Sequence, residues 1–223
     1  MGFHLRAFIA VGLVLSVCLS GCGKMAALQG VHNEIVKIEK EWIDANNLTV
    51  KGQLKLMTVE HQFVSAYNGA ETIDLKVAAL QVAIEELSPL GGQAIDSDYQ
   101  LAFAEYLDNL INWKAALEAN DSELINRGEV QNPVLGAKVT TLHTSGQVAA
   151  AERALARIDG LDLTDIPEDY QAALNVWKEN IKSIEKTIRA EEFEVATELL
   201  GKNVPLVEKL NVIAEKHGLT VQR

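Results

Sequence analysis

Residues 97–119 read SDYQLAFAEYLDNLINWKAALEA and residues 168–190 read EDYQAALNVWKENIKSIEKTIRA. Laid on one another at an offset of 71, they keep one apolar stripe in register. Tyr99, Phe103, Tyr106, Leu110, Trp113 and Leu117 fall on Tyr170, Leu174, Trp177, Ile181, Ile184 and Ile188. Steps of three and four are the period of an α-helix with one buried face. The match extends without a gap over residues 73–123 and 144–194, with thirteen identities in 51 pairs. Val77-Ala78-Ala79 on Val148-Ala149-Ala150 belongs to it. Each copy reads as helix, loop, helix, and the pair reads as a duplicated helical hairpin.

The loops carry breakers at corresponding places. In the first copy Ser88 to Ile95 contains Pro89 and Gly91-Gly92; in the second, Gly160 to Ile166 precedes Pro167. Asp96 and Asp165 are the expected N-caps, because a short carboxylate can accept from the first free amides of a helix. The repeat also predicts a turn at Glu191-Glu192, which falls on Asn120-Asp121, although no Gly or Pro marks it.

Outside the repeat the pattern stays helical. Leu28, Val31, Ile35, Ile38, Trp42 and Ala45 share one stripe; Val50, Leu54, Met57 and Val64 continue it towards Asn68-Gly69, a pair suited to a helix C-terminus. No sustained alternation of apolar and polar residues suggests strands. The fold class is therefore all-α: an antiparallel up-and-down bundle of about seven long helices with an internal duplication. The expected helices are 25–46, 50–68, 72–88, 97–119, 135–158, 167–189 and 191–217, with a short one at 121–127. The longer connection is expected from Arg127 to Leu135, and Pro205 predicts a kink or break at 201–205.

The amino terminus is of another kind. Arg6 precedes an apolar run, Ala7 to Val17, that is too short to span a bilayer and is followed by Leu19-Ser20-Gly21-Cys22. Those four residues resemble the bacterial lipobox at every position. The resemblance implies a signal peptide over 1–21, lipidation of the Cys22 sulfur, cleavage before Cys22 and acylation of the new amine. It implies attachment to a membrane by three acyl chains, which is effectively permanent where one chain is marginal. In a Gram-negative bacterium the resemblance implies the outer membrane and its periplasmic face, because Gly23 stands where an inner-membrane lipoprotein tends to carry Asp; in any other it implies lipid anchorage to the cell membrane. Residues 22–24 are then the acylated anchor and a short tether, and 25–223 a single helical-bundle domain.

Composition narrows function mainly by exclusion. Cys18, the other cysteine, lies in the segment to be removed, so the mature chain holds no disulfide and no cysteine metal site. The formal charge of −11 becomes −12 without Arg6 and is spread along the chain, which disfavours nucleic acid and anionic lipid as partners. Hydrophobic residues make up 48% of the chain and Pro numbers four, a composition that folds.

His4, His32, His61, His143 and His217 stand in no Glu-x-x-His, His-Glu-x-x-His or Cys-x-x-Cys-His spacing, and no nucleophile elbow or phosphate loop is present. Isolated helical histidines such as His32, His61 and His143 read as partly exposed or internally satisfied. Trp42, Trp113 and Trp177 lie on apolar stripes and read as core, with Tyr99 and Tyr170 placing their hydroxyls near loops. No catalytic residue, metal site or cofactor is nominated. The expectation is a noncatalytic binding or scaffolding lipoprotein with a protein or small-ligand partner. The alternative is a cofactor-binding bundle, with Met25 and His217 as ligands to a b-type haem, which resembles cytochrome b562-like bundles by position only.

Overall fold

The computed structural model describes residues 3–92 and 97–221, and side chains from Gly23 onward except at 43–49 and 91–92. Cys22, Ala45 and Asp96, named above, therefore lie outside the described side chains. Six α-helices follow one another: α1 Phe3–Gly69, α2 Ile73–Leu87, α3 Ser97–Glu118, α4 Ser122–Asp159, α5 Glu168–Arg189 and α6 Phe193–Lys216, with a 3₁₀ turn at Ser88–Gly92. No strand occurs among the described residues.

The architecture follows from which helices touch. α1 packs on α2 and α4, and α2 and α4 pack on α3, closing one four-helix ring. α1 and α4 also meet α6 and α5, which pack on each other and close a second ring. Two apolar cores result. The first holds Leu28, Ile35, Trp42, Tyr170, Trp177 and Ile184; the second holds Phe63, Leu80, Phe103, Tyr106, Leu110 and Val139. The long helices α1 and α4 run through both, so the chain forms two four-helix bundles stacked end to end.

All twelve stripe residues of the two repeat copies are buried. The predicted turn at 190–192 is present, in the same geometry as its counterpart. Asp121 N donates to Ala116 O and Asn120 N to Leu117 O; 71 residues later, Glu192 N donates to Thr187 O and Glu191 N to Ile188 O. This pair of bonds closes a helix through one left-handed residue. Asn120 (φ 53°) and Glu191 (φ 59°) are the positive-φ non-glycine residues among those described. Asn tolerates that conformation through its short polar side chain, whereas Glu is strained by its Cβ. Glu191→Gly should therefore stabilise the protein by about 0.5–1 kcal/mol and Asn120→Gly by less. Urea midpoints of the two variants test this, and equal midpoints would contradict it.

Several sequence expectations are corrected. Helices 25–46 and 50–68 are one helix, and Gly23 and Lys24, expected as a tether, belong to it. Continuity follows from the buried face, since Trp42, Val50, Gln53, Leu56, Phe63 and Tyr67 keep helical spacing across the expected break. That face is not the Leu54-Met57-Val64 stripe read from sequence: Met57 and Val64 are exposed, and Gln53 is buried, donating to Thr140 of α4 at 2.8 Å.

The Arg127–Leu135 connection and the short helix before it are parts of α4. Pro133 lies inside α4 and Pro205 inside α6, which is likewise assigned without a break. Each proline frees the carbonyl four residues earlier, and Glu129 and Gly201 are exposed, so water can satisfy both. Asp165 is not the cap of α5. Pro167 holds that position with an extended ψ of 139° and no side-chain cap, while Gln171 ties the loop by donating to the Leu163 and Ile166 carbonyls. The Tyr170 hydroxyl lies 3.0 Å from His32 Nδ1 in the core rather than at a loop.

Candidate functional site

The two bundles differ in packing at four positions related by the 71-residue offset, three of them just beyond the matched repeat. Where one carries Ile184, Leu199, Leu200 and Val207, the other carries Trp113, Gly128, Glu129 and Gly136. Other polar features are shared. Asn180 Nδ2 donates to the Leu199 carbonyl at 3.2 Å and Asn109 Nδ2 to the equivalent Gly128 carbonyl at 3.4 Å. The backbone of the hairpin is thus retained while its packing has changed.

The two glycines explain how. A Cβ at residue 128 would lie 2.5 Å from Trp113 Cγ and 2.7 Å from Trp113 Cβ, and one at residue 136 would lie 2.6 Å from Glu60 Oε1. Gly128 admits the indole and Gly136 admits a carboxylate. Both are buried on the inner face of α4 beside Asn132.

These substitutions open a cleft of about 440 Å³ between α1, the start of α2, α3 and α4. Its wall is aromatic: Tyr67 and Trp113 have centroids 4.6 Å apart, and Phe63 meets Trp113 edge-on at 5.5 Å. Its rim is acidic. The Tyr67 hydroxyl donates to Glu129 Oε1 at 2.8 Å, and Glu60 lines the opposite side. Burial pushes the Glu60 carboxyl above the usual carboxylate range, partly offset by the neighbouring Tyr106 hydroxyl. Burial, the Glu129 bond and the Glu129 charge raise Tyr67 in turn, with a smaller opposing effect of Trp113.

A cation already lies here. Lys76 Nζ stands 4.6 Å from the centroid of the Tyr67 ring. Trp113 and Asn132 line the same space, and their buried Nε1 and Oδ1 have no partner at hydrogen-bonding geometry. Tyr106 is close enough to Glu60 and Asn132 for each to bias its ionisation, yet its hydroxyl is within bonding geometry of neither. A larger groove of about 870 Å³ also borders Trp113, lined by apolar residues of α3 and α4 such as Ala116, Val130 and Val134 together with polar ones such as Asp108, Asn112, Arg127 and Gln131.

Of the residues lining the aromatic cleft, sequence reasoning named Val64, Asn68 and Trp113 and gave each a structural reading: Val64 on an apolar stripe, Asn68 at a helix C-terminus and Trp113 as core. Trp113 is both, buried at 5% exposure yet forming the cleft wall. The available signal was the comparison at the 71-residue offset, at Trp113 inside the repeat and at 128, 129 and 136 beyond its end, where the other copy stays apolar. The two alternative haem ligands do share a cleft, of about 350 Å³ at the opposite end of the molecule. His217 Nε2 is bonded to Asp169 Oδ1 at 2.8 Å, and Asp169, held by Lys216 and then His217, has its carboxyl lowered to about 2. Met25 packs against Gly218, whose φ of 91° marks the C-terminal turn of α6. Among the described residues no group of three or more His, Cys, Asp or Glu is arranged to hold a metal ion, and no helix is long and apolar enough to cross a membrane. Comparison with known protein families, curated proteins and solved structures finds no match.

Proposed function

We propose that this chain is a noncatalytic envelope lipoprotein, held by lipid on Cys22 to the periplasmic face of the outer membrane, which binds its partner or ligand with the bundle farther from the anchor. The observation that supports this most is the continuity of α1. From Lys24 to Gly69 one helix passes through both cores, and at about 1.5 Å per residue it extends about 65 Å. An anchor at its start would hold the first bundle against the leaflet. The second, with the aromatic cleft, would then stand about 55 Å out, since Glu60 is that far along the helix.

The cleft fits a binding role. It is concave, largely aromatic and furnished with a few polar groups, as ligand sites are, and no Ser, Cys or His lines it.

The anchor is tested by Cys22→Ser. Cells expressing the wild-type chain should incorporate radiolabelled palmitate into it, and the variant should incorporate none and accumulate as a longer precursor. Unchanged labelling of the variant would overturn the proposal.

A further inference from the structure

We propose that the cleft of the distal bundle binds a small organic ammonium ion, which takes the place of the Lys76 ammonium over the Tyr67 ring between Glu60 and Glu129. This inference names the ligand class for the binding reading above and rests on it.

Three independent observations meet at this spot. The first is chemical complementarity. An ammonium is attracted by the negative face of an aromatic ring and by carboxylates, and Tyr67, Trp113, Glu60 and Glu129 provide both in one recess. The protein's own Lys76 shows that the ring face accepts such a charge at 4.6 Å. Two carboxylates against one lysine leave the recess with room for a further positive charge. A lysine on the rim of α2 is half-buried on a flexible four-carbon stem, so it can leave the ring without disturbing the helices.

The second observation is the pair of buried atoms without partners. Trp113 is 5% exposed and Asn132 4%, and both line the cleft, yet the buried Trp113 Nε1 and Asn132 Oδ1 lack a hydrogen-bond partner. Asn132 Oδ1 is an acceptor, suited to an ammonium or hydroxyl donor, and Trp113 Nε1 is a donor, suited to the oxygen of an amino alcohol. A buried polar group left in this state costs stability, which a ligand would recover.

The third observation is the difference between the repeat copies. Leu200 is fully buried in the proximal bundle, whereas its counterpart Glu129 bonds Tyr67 at the cleft. Leu199 and Val207 correspond to the glycines that admit Trp113 and the Glu60 carboxylate. The proximal copy keeps a buried asparagine, Asn203, at the place of Asn132, but carries no glutamate at 200 and no tryptophan at 184, so the acidic and aromatic parts of the recess are not something the fold demands.

Free amines and lipid head groups share the ammonium chemistry. The position of the cleft favours a soluble amine, because Glu60 lies about 55 Å along α1 from the end that the proposed anchor would hold at the leaflet.

The test is calorimetric titration of the full-length chain, purified in a non-ionic detergent, with choline and with n-butylamine. Saturable binding is expected with a Kd of about 1 mM or tighter, which is reachable for ligands of this size. Lys76→Ala should tighten it about tenfold by vacating the ring, and Glu60→Gln and Glu129→Gln should each weaken it about tenfold. Thermal unfolding by circular dichroism shows that each variant retains its fold. 3,3-Dimethylbutan-1-ol, the uncharged counterpart of choline, should not compete. Absence of binding by both the wild type and Lys76→Ala, equal binding of the uncharged alcohol, or indifference to both Gln substitutions overturns the assignment. Phosphatidylethanolamine vesicles in place of the free amines separate the two sources: a response confined to vesicles overturns the soluble ligand. The Cys22 labelling experiment does not depend on any of these results, so the anchor and the ligand class fail separately.

Discussion

Trp177→Ala should destabilise the protein by about 3–5 kcal/mol, the range for removing a large aromatic side chain from a well-packed interior. Trp177 is fully buried at the centre of the proximal core, amid the apolar stripes of α1, α4, α5 and α6. Its indole Nε1 has no hydrogen-bond partner, so the loss is one of packing and apolar burial. Trp177→Phe should consequently cost much less, since it keeps most of the contact area and abandons no bond. His61→Ala, at an exposed position of α1, should change stability little. His143 differs from what its sequence context suggests: it is fully buried at the junction of the bundles, 5.5 Å from the Phe193 ring. Urea titrations followed by circular dichroism measure all four. A Trp177→Ala cost below about 1 kcal/mol would contradict the packing described here. Because α1 and α4 belong to both cores, the loss should move the unfolding of both bundles together.

Gly128→Ala should destabilise by about 2 kcal/mol, even though alanine is the better helix former by about 1 kcal/mol. The added methyl would meet Trp113 at 2.5 Å from Cγ, 2.7 Å from Cβ and 2.9 Å from Cδ1. A flexible side-chain end could swing away, but Cβ is fixed to the backbone of α3, so relief requires the two helices to separate. The other copy of the hairpin supplies the remedy. There the corresponding residues are Ile184 and Leu199, so a smaller side chain on one helix accompanies a larger one on its neighbour. Trp113→Ile leaves a cavity alone and should also destabilise, but the double variant Trp113→Ile/Gly128→Ala should be at least about 1 kcal/mol more stable than the sum of the two losses. Simple additivity in urea midpoints would show that the two residues do not share the contact.

At Gly136 the same addition is expected to be milder for stability. The atom it would meet, 2.6 Å away, is the carboxylate of Glu60, the far end of a flexible side chain. It would move that carboxylate out of the cleft without parting the helices, separating an effect on the site from one on the fold.

What the sequence determined by itself was whatever local chemistry repeats or punctuates. The stripes of residues 28–42, 99–117 and 170–188 are buried as spaced, because a side chain's face on a helix follows from its position alone. The offset of 71 located a turn at Glu191 that no glycine announces, since both copies close their helices with the same two backbone bonds. Tertiary structure decided where local signals are weak or point the wrong way. Gly128, Asn132 and Pro133 read as a connection, yet α4 continues through them: Gly128 and Asn132 face the core, as does Gly136 beyond them, and Pro133 faces solvent. Packing against α1 and α3 outweighs a poor helix propensity of about 1 kcal/mol per glycine. The cleft was equally hidden, because Glu60 and Tyr67 on α1, Trp113 on α3 and Glu129 on α4 lie far apart in sequence and meet only when the ring of helices closes. Their meeting depends on two absent side chains, at Gly128 and Gly136, and the space an absent side chain leaves is defined by the neighbouring helix, not by the glycine's own place in the sequence.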